Sequence, residues 1–223
     1  MPTTNPRAPR RTDALSKERL VQAAIEILDA DGESALTFRA LAHRLSTGSG
    51  AMYHYVANKD ELLKAATDAV IAGAVDGAAR DPDPSAAIRS LALGVFDAID
   101  AHPWVGAQLT REPWQFAIIQ LFERIGTQLQ ALGVPARAQF DSASALVNYV
   151  LGLAGQYAAG ARLLARDTDR TAFLGMIAAQ WEELDRRDFP FMHRMADGLH
   201  EHDDRAQFLA GIDLILAGAA SVR

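Results

Sequence analysis

The sequence contains no cysteine, so disulfides, thiolate metal sites and a cysteine nucleophile are excluded. Aromatic residues make up only 7% of the chain. Its most apolar long stretch, residues 146–165, is interrupted by Asn148, Gln156 and Arg162, which makes it a poor membrane span and a good buried helix. The first residues are rich in proline, threonine and arginine and lack the apolar run of a signal peptide. We therefore expect a cytoplasmic protein with no membrane partner.

The residues that are abundant favour helices. Hydrophobic residues form 49% of the 223 positions, which is ample for a sizeable core. Alanine is used heavily, while β-branched and aromatic residues are sparse. No segment alternates apolar and polar residues for long enough to indicate a strand. The composition therefore predicts an all-α fold.

Four short helices are predicted near the start of the chain. Ser16 is a good N-cap, and Asp31-Gly32 ends the helix that follows it. The next signals are a cap at Thr37, a polar turn at residues 46–49, a third helix at 50–56, and a capping box at Asn58 and Glu61. Two short helices joined by a tight turn, the second with small and aromatic residues, are typical of a helix-turn-helix that enters the DNA major groove.

This pattern predicts three parts of the chain. Residues 1–15 form a disordered basic arm, and residues 16–62 form a helix-turn-helix DNA-binding domain. The fourth helix, from about residue 59, connects that domain to the body. Residues 63–223 form a larger helical body for ligand binding and dimerisation. The acidic-proline segment at 81–84 marks a sharp break within the body.

The charge distribution supports a DNA partner locally rather than overall. The net charge is −6, whereas DNA-binding domains are usually basic. Residues 1–60 carry eight Lys or Arg and seven Asp or Glu, a net charge of +1, and the remainder carries −7. Between Glu33 and Asp60 there is no carboxylate, and Arg7, Arg10 and Arg11 precede the first acid. A surface that approaches phosphates requires such an absence of negative charge.

The body is predicted to be a succession of helices with one irregular segment, at residues 188–203. The helices are expected at residues 85–101, 104–110, 113–132, 135–166, 169–186 and 204–220. The long helix and the last helix are apolar on more than one face, so each must be covered on more than one side. A deep core within one chain and a two-chain four-helix bundle both satisfy this requirement. For the second case the predicted interface residues are Phe140, Val147, Val150 and Ala154 with Phe208, Ile212, Ile215 and Ala219.

Aromatic and polar residues of the body are candidates for a small-molecule site. The candidates are His102, Trp104, Trp114, Phe116, Tyr149, Tyr157 and Trp181. Aromatic residues on helices more often belong to a core, so each has this second interpretation. His193, His200 and His202 lie among acids, but one His-x-His pair in a polar linker is weak support for a metal. We predict no metal, no cofactor and no catalytic residue, because no catalytic motif is present.

The helix-turn-helix resembles the tetracycline-repressor (TetR) family of transcriptional regulators from about Ser16 to Val70. The similarity rests on the segments at residues 23–32, 36–42, 52–56 and 58–62, which read AAIEILDADG, LTFRALA, MYHYV and NKDEL. The final FLAGIDLILAG, at residues 208–218, is similar to the last helix of the family's tetracycline-repressor-type C-terminal domain. The resemblance implies an all-helical homodimer with a small-molecule pocket in each body, which represses an operator until a ligand binds.

The resemblance also implies roles for single residues. Thr37 and Arg39 match phosphate contacts, Tyr53 matches an aromatic that touches the DNA backbone, and Lys59 matches a phosphate-pairing lysine. Ser49, Gly50 and Ala51 occupy the positions that approach bases. The sequence departs from the family at Tyr55, where a histidine is common, and the adjacent His54 is not an obvious substitute. Both residues are kept as DNA-binding candidates.

Base reading by this helix must use an unusual set of groups. Residues 48–56 contain no Arg, Asn or Gln, so the bidentate readers of guanine and adenine are missing. Ser49, His54, the Ala51 methyl group and DNA shape remain as means of recognition. We expect a sequence-specific repressor, released from a palindromic operator by a small, mainly apolar effector. The alternatives are an all-helical enzyme and a ligand-free protein-binding or architectural module.

Overall fold

The structure is a computed structural model that describes residues 15–77, 81–112, 114–163 and 170–222, with the backbone alone at 157–159 and 161–163. These residues form α-helices and two turns of 3₁₀ helix, with no strand among them. The helices are α1 Lys17–Asp31, α2 Phe38–Arg44, α3 Ser49–Met52, α4 Lys59–Gly77, α5 Pro84–Ala101, α6 Pro103–Arg111, α7 Phe116–Ala131, α8 Ala136–Leu163, α9 Arg170–Glu182, α10 Pro190–Ala196 and α11 Asp204–Ser221. The predicted all-α fold is confirmed.

Internal contacts divide the chain into two compact units that meet at Ala69 and Val70. We call the first unit the head and the second the body. The division falls inside α4, so this helix begins in the head and ends in the body. The boundary predicted from the sequence, between residues 62 and 63, lies within the same helix. No described helix is both long and apolar enough to cross a membrane.

The predicted caps of the head helices are present. The Ser16 hydroxyl accepts a hydrogen bond from the Arg19 N–H at 3.2 Å. Gly32, with φ of 77°, ends α1 in a conformation that favours glycine. At the start of α4 the Asn58 side chain accepts from the Glu61 N–H at 2.8 Å, and the Glu61 carboxylate reaches back to the Ala57 N–H at 2.7 Å. These caps satisfy amide groups that have no partner within the helices.

The head has its own small core. Leu20, Leu41, Met52, Val56 and Leu62 are each at most 1% exposed, and together they bring α1, α2, α3 and α4 around one apolar centre. Apolar residues recur at helical spacing along the helices of the head, which is why these helices could be predicted from the sequence. The core fixes which side of α2 and α3 remains in solvent.

The body is built around α8. This helix packs against α5, α6, α7 and α11, so it is covered on several sides within one chain. Ile88, Ile99, Leu121, Leu146 and Phe208 are fully buried or nearly so. Much of the apolar surface of α8 and α11 is therefore buried by other helices of the same chain, as expected for a deep core within one chain.

Two predicted elements differ from the structure. The third helix was expected over residues 50–56, but α3 ends at Met52 and continues as a turn, in which the Met52 carbonyl accepts from the N–H groups of Tyr55 and Val56. Residues 188–203 were expected to be irregular, but they contain α10 and a 3₁₀ turn at Leu199–Glu201. Pro190 fits the first turn of α10, where its missing N–H costs nothing.

Candidate DNA-binding surface and ligand cavities

The head leaves its predicted DNA-facing residues on the surface. Met52 and Val56 are buried, which turns the other side of α3 and its following turn outward. Thr37, Arg39, Ser49, Gly50, Tyr53 and His54 are exposed, and Ala51, Tyr55 and Lys59 are half-buried. The packing of the head therefore leaves a continuous segment of α3 accessible to a groove, while the roles of its residues toward DNA remain predictions.

Gly50 is not required by the packing of the head. A Cβ atom built at Gly50 would meet no other atom within 4 Å, apart from its immediate neighbours and its own helix backbone. Glycine also disfavours a helix relative to alanine. A glycine at this position therefore has no stabilising role that the head itself explains. The open space also leaves the backbone of α3 accessible at Gly50.

Tyr53 is held in place by a stacking partner. Its ring lies 4.7 Å from the ring of Phe38, at an interplanar angle of 17°, while 57% of the residue remains exposed. The aromatic pair fixes the ring against the start of α2 and leaves its other side free. The sequence analysis gave Phe38 no role, because the contact joins two helices and spacing within one helix does not reveal it.

Tyr55 and Lys59 both have partners within the head. The Tyr55 hydroxyl donates to the Leu15 carbonyl at 2.7 Å, which links the residues just before α1 to the turn that follows α3. The Lys59 ammonium donates to the Glu33 carbonyl at 2.6 Å. An ammonium group has three donors, so this bond leaves Lys59 able to contact a phosphate as well.

Basic side chains on α2 surround a groove of about 690 Å³. Thr37 and Arg39 line it together with His43, Arg44 and one acid, Asp31. Arg44 forms an ion pair with Glu26 of α1 at 2.7 Å, which neutralises an acid that would otherwise repel phosphates. Neither His43 nor Arg44 was singled out from the sequence, although two basic residues in the last turn of α2 were a visible signal.

The body contains a mainly apolar cavity of about 830 Å³, which we call the α7–α8 cavity. Ile118 and Phe122 of α7 face Phe140 and Val147 of α8 across it, and the Phe122 and Phe140 rings stack at 6.0 Å. Polar groups from Thr110, Gln139, Ser144 and Asn148 join the lining, and Glu123 is the single charged residue among the described residues that line it. Apolar walls with a few polar groups are typical of a site for a small organic molecule.

Among the predicted ligand residues whose side chains the structure describes, only one lines this cavity. Trp114 does so, and it is 82% exposed. Phe116 is 60% exposed and lies outside the lining. Ile118 and Phe140 were not predicted as lining residues, although 118–122–126 and 140–144–148 follow the spacing of one helix face.

The other predicted ligand residues are dispersed over the body. Trp104 is buried in the core, and its ring lies 6.2 Å from that of His102. Tyr149 packs on α11, where its hydroxyl donates to the Phe208 carbonyl at 3.3 Å, and burial raises the pKa of its phenol. Trp181 lines a second cavity, between α9 and α11. The side chain of Tyr157 lies outside the described residues.

The three histidines weighed as metal candidates have separate environments. His193 contacts the Leu184 carbonyl at 2.7 Å, whereas His200 lies 3.6 Å from Glu201. His202 contacts the Gln207 side chain at 2.9 Å. Within the part of the chain that the structure describes, no three His, Asp or Glu side chains converge as metal ligands would.

The predicted dimer interface needs correction. Val147, Val150, Ala154, Phe208, Ile212 and Ala219 are buried within one chain, and Ile215 is half-buried. Their regular spacing reflects packing of α8 and α11 on the rest of the body, so these side chains have little surface left for a second copy. Phe140 alone of the set is exposed, at 71%, and it lines the α7–α8 cavity.

A different face of α8 and α11 remains open. We call it the small-residue face, and it consists of Ala145, Gly152, Ala210, Leu214 and Gly218, all of which are exposed. Gly152 lies at the edge of this face, because it also lines the α7–α8 cavity. Leu214 is 75% exposed, and a Cβ atom at Gly152 or Gly218 would meet no atom within 4 Å apart from close chain neighbours. Small residues around one large apolar side chain leave room for a closely packed partner helix.

An exposed helix-turn-helix on a helical body with an apolar cavity defines a class of DNA-binding regulator, and comparison with known proteins agrees. The family described as "Bacterial regulatory proteins, tetR family" matches residues 20–66. The transcriptional regulator SCO7222, a TetR from Streptomyces coelicolor, is 48% identical in sequence to this chain. Its solved structure matches with a TM-score of 0.85, over 94% of this chain and 99% of that one. The chain therefore belongs to the TetR family of transcriptional regulators.

Two further relatives are more distant. An HTH-type transcriptional regulator of Saccharopolyspora erythraea is 29% identical over 231 residues, which cover 95% of this chain and 87% of the relative. ActR of Streptomyces coelicolor, in complex with actinorhodin, is 24% identical, with a TM-score of 0.74 over 92% of this chain and 97% of that one. At that identity the likeness to ActR shows the fold. Family membership makes the chain a transcriptional regulator and sets aside the enzyme alternative.

Proposed function

We propose that the protein is a homodimeric repressor that binds a palindromic operator in the cytoplasm and leaves it when a small, mainly apolar effector binds the body. The observation that carries the DNA-binding part is the carboxylate-free segment from Thr37 to Tyr55, which exposes Arg39 on α2 and Ser49, Tyr53 and His54 in and after α3. Proteins of this architecture bind phosphates through such a surface, with an affinity that depends strongly on salt.

Recognition of sequence rests on contacts weaker than bidentate hydrogen bonds. Ser49 and His54 are exposed and offer single donors or acceptors, and the Ala51 methyl group suits a thymine methyl. Gly50 permits the backbone of α3 to come close to the base edges. Because these contacts discriminate modestly, operator selection relies in part on the shape of the groove.

The small-residue face supports dimerisation. If α8 and α11 of two chains meet there, they form a four-helix bundle with Leu214 of each copy against small residues of the other. This interface replaces the one predicted from the sequence, whose residues pack within the chain. Two heads in one dimer require two half-sites, which is why the operator is proposed to be a palindrome.

The α7–α8 cavity is the proposed effector site. Its volume of about 830 Å³ lies within the usual range for small-molecule pockets, and its walls are mostly apolar. ActR, which shares the fold, binds actinorhodin in its solved complex. That precedent supports a ligand-binding body here without identifying the ligand of this chain. The effector weakens DNA binding only if it has different affinities for the two states of the dimer, and such couplings are typically about 1–3 kcal/mol.

The DNA-binding part is tested by fluorescence anisotropy on promoter fragments that contain inverted repeats. We expect one fragment to bind two chains far more tightly than a shuffled fragment of the same composition, with an affinity that falls steeply as salt rises from 50 to 200 mM. Equal affinity for both fragments at every salt concentration would contradict sequence-specific binding. A 1:1 stoichiometry would contradict the dimer while leaving DNA recognition intact.

A further inference from the structure

The second cavity of the body, about 980 Å³, differs in chemistry from the effector site and shares no lining residue with it. We call it the α9–α11 cavity. Its apolar walls include the rings of Phe96 from α5 and of Phe173 and Trp181 from α9. Its polar side carries three carboxylates, those of Asp100, Asp203 and Asp204, with two guanidinium groups.

The two arginines of this cavity are already engaged by carboxylates. Arg170 forms an ion pair with Asp204, and Arg205 forms one with Asp97, which lies outside the lining. Asp203 caps α11, and one of its oxygens accepts from two backbone N–H groups at 2.9 and 3.1 Å. Among the described lining residues three carboxylates face two guanidinium groups, and Asp97 balances the charge of Arg205 from outside the lining.

Asp100 is the lining carboxylate with neither oxygen engaged by the described residues. It is exposed at the rim of the cavity, and no hydrogen bond or ion pair to it occurs among the described residues. It also lies in the last turn of α5, which ends at Ala101. The carbonyl groups at the C-terminal end of a helix add negative potential to that of the carboxylate and favour a cation there.

We propose that the α9–α11 cavity is a second ligand site, which binds an organic cation with an apolar body. Asp100 attracts the charge, and the rings of Phe173 and Trp181 contact the body of the cation and stabilise the charge through their π faces. A metal ion suits the site less well, because no three His, Asp or Glu side chains converge among the described residues and the aromatic walls offer no ligand atoms. An anion is disfavoured because both arginines are paired.

The test compares two rigid probes of the same shape and opposite charge, tetraphenylphosphonium and tetraphenylborate, by isothermal titration with the full chain. Tetraphenylphosphonium is expected to bind once per chain, at least about tenfold more tightly than tetraphenylborate. Asp100→Asn should reduce the affinity for the cation about tenfold and leave the affinity for the anion equal or higher. Trp181→Leu, which keeps an apolar side chain, should also reduce the affinity for the cation.

Two controls locate the binding. Asp141→Asn removes an exposed carboxylate of α8 that lies outside both cavities, and it should leave both affinities unchanged. Glu123→Gln removes the charge that the described residues contribute to the lining of the α7–α8 cavity. If Glu123→Gln reduced the affinity for the cation and Asp100→Asn did not, the cation would occupy the effector site and the proposal would be wrong. Equal binding of the two probes would also overturn it. Because Asp100 is exposed, its substitution should preserve the fold, which circular dichroism checks.

Discussion

The Tyr149 hydroxyl occupies the space that a side chain at Gly211 would need. A Cβ atom built at Gly211 would overlap the phenol of Tyr149, which donates to the carbonyls of Gln207 and Phe208 on the same helix. The ring also stacks on Phe208 at 5.7 Å. The contact between α8 and α11 therefore depends on a tyrosine and a glycine that fit each other, beside the proposed dimer face.

Gly211→Ala is expected to lower the free energy of unfolding by about 1–3 kcal/mol, because the added methyl group forces Tyr149 out of its position. Thermal or urea unfolding followed by circular dichroism measures the change. Tyr149→Ala in the same chain should recover part of the loss caused by alanine at 211, since the overlapping ring is then absent. Additive losses in the double variant would show that the two residues are not coupled in this way.

Gly50→Ala separates stability from DNA binding. The head has open space at this position, and alanine is a better helix former than glycine by up to about 1 kcal/mol. We expect the variant to be at least as stable as the parent chain but to bind the operator more weakly, because the methyl group stands between α3 and the bases. Unchanged operator affinity in the anisotropy assay would refute the close approach of Gly50 to DNA.

Arg39→Ala should weaken binding to operator and shuffled DNA alike. Arg39 is exposed in the first turn of α2, and a contact to phosphate carries no sequence information. The slope of log affinity against log salt should become shallower by about one. Loss of preference at a single base pair, with an unchanged slope, would instead assign Arg39 to base reading. Lys64→Ala, a change of a half-buried lysine on α4, is the matched control.

Leu214→Glu should produce monomers. The side chain is 75% exposed on the small-residue face, so the substitution leaves the fold intact but places charge in the proposed interface. Analytical ultracentrifugation measures the mass. Leu132→Glu, at an exposed leucine after α7, should remain dimeric. A dimeric Leu214→Glu variant would exclude this face.

The difference between the predicted and the revised interface has a physical cause. Sequence spacing showed correctly that α8 and α11 are apolar on several faces, but Val147 and Ile212 follow the same periodicity whether α7 and α5 or a second chain covers them. The open face carries mostly alanine and glycine, so it has a weak hydrophobic signal. Which apolar face is covered by which neighbour depends on tertiary packing, and a single helix pattern does not contain that information.

The head was predicted more completely than the cavities. Caps such as Ser16 and Asn58 act within a few residues, so their effect can be read locally. The α7–α8 cavity joins residues of α6, α7 and α8, and the stack of Phe122 on Phe140 depends on how two helices cross. Trp104 and Tyr149 were plausible as ligand residues by type, but packing placed one in the core and the other against α11.

The most direct test of the account is the linkage between effector and operator. Mass spectrometry of small molecules that co-purify with the protein supplies the effector, and calorimetry then measures its affinity with and without saturating operator DNA. If the effector weakens operator binding by some factor, the operator must weaken effector binding by the same factor. Phe122→Ala, which removes a wall of the α7–α8 cavity, should reduce effector affinity while the free protein still binds the operator. The account predicts this reciprocity, and equal effector affinity in the presence and absence of operator would contradict it.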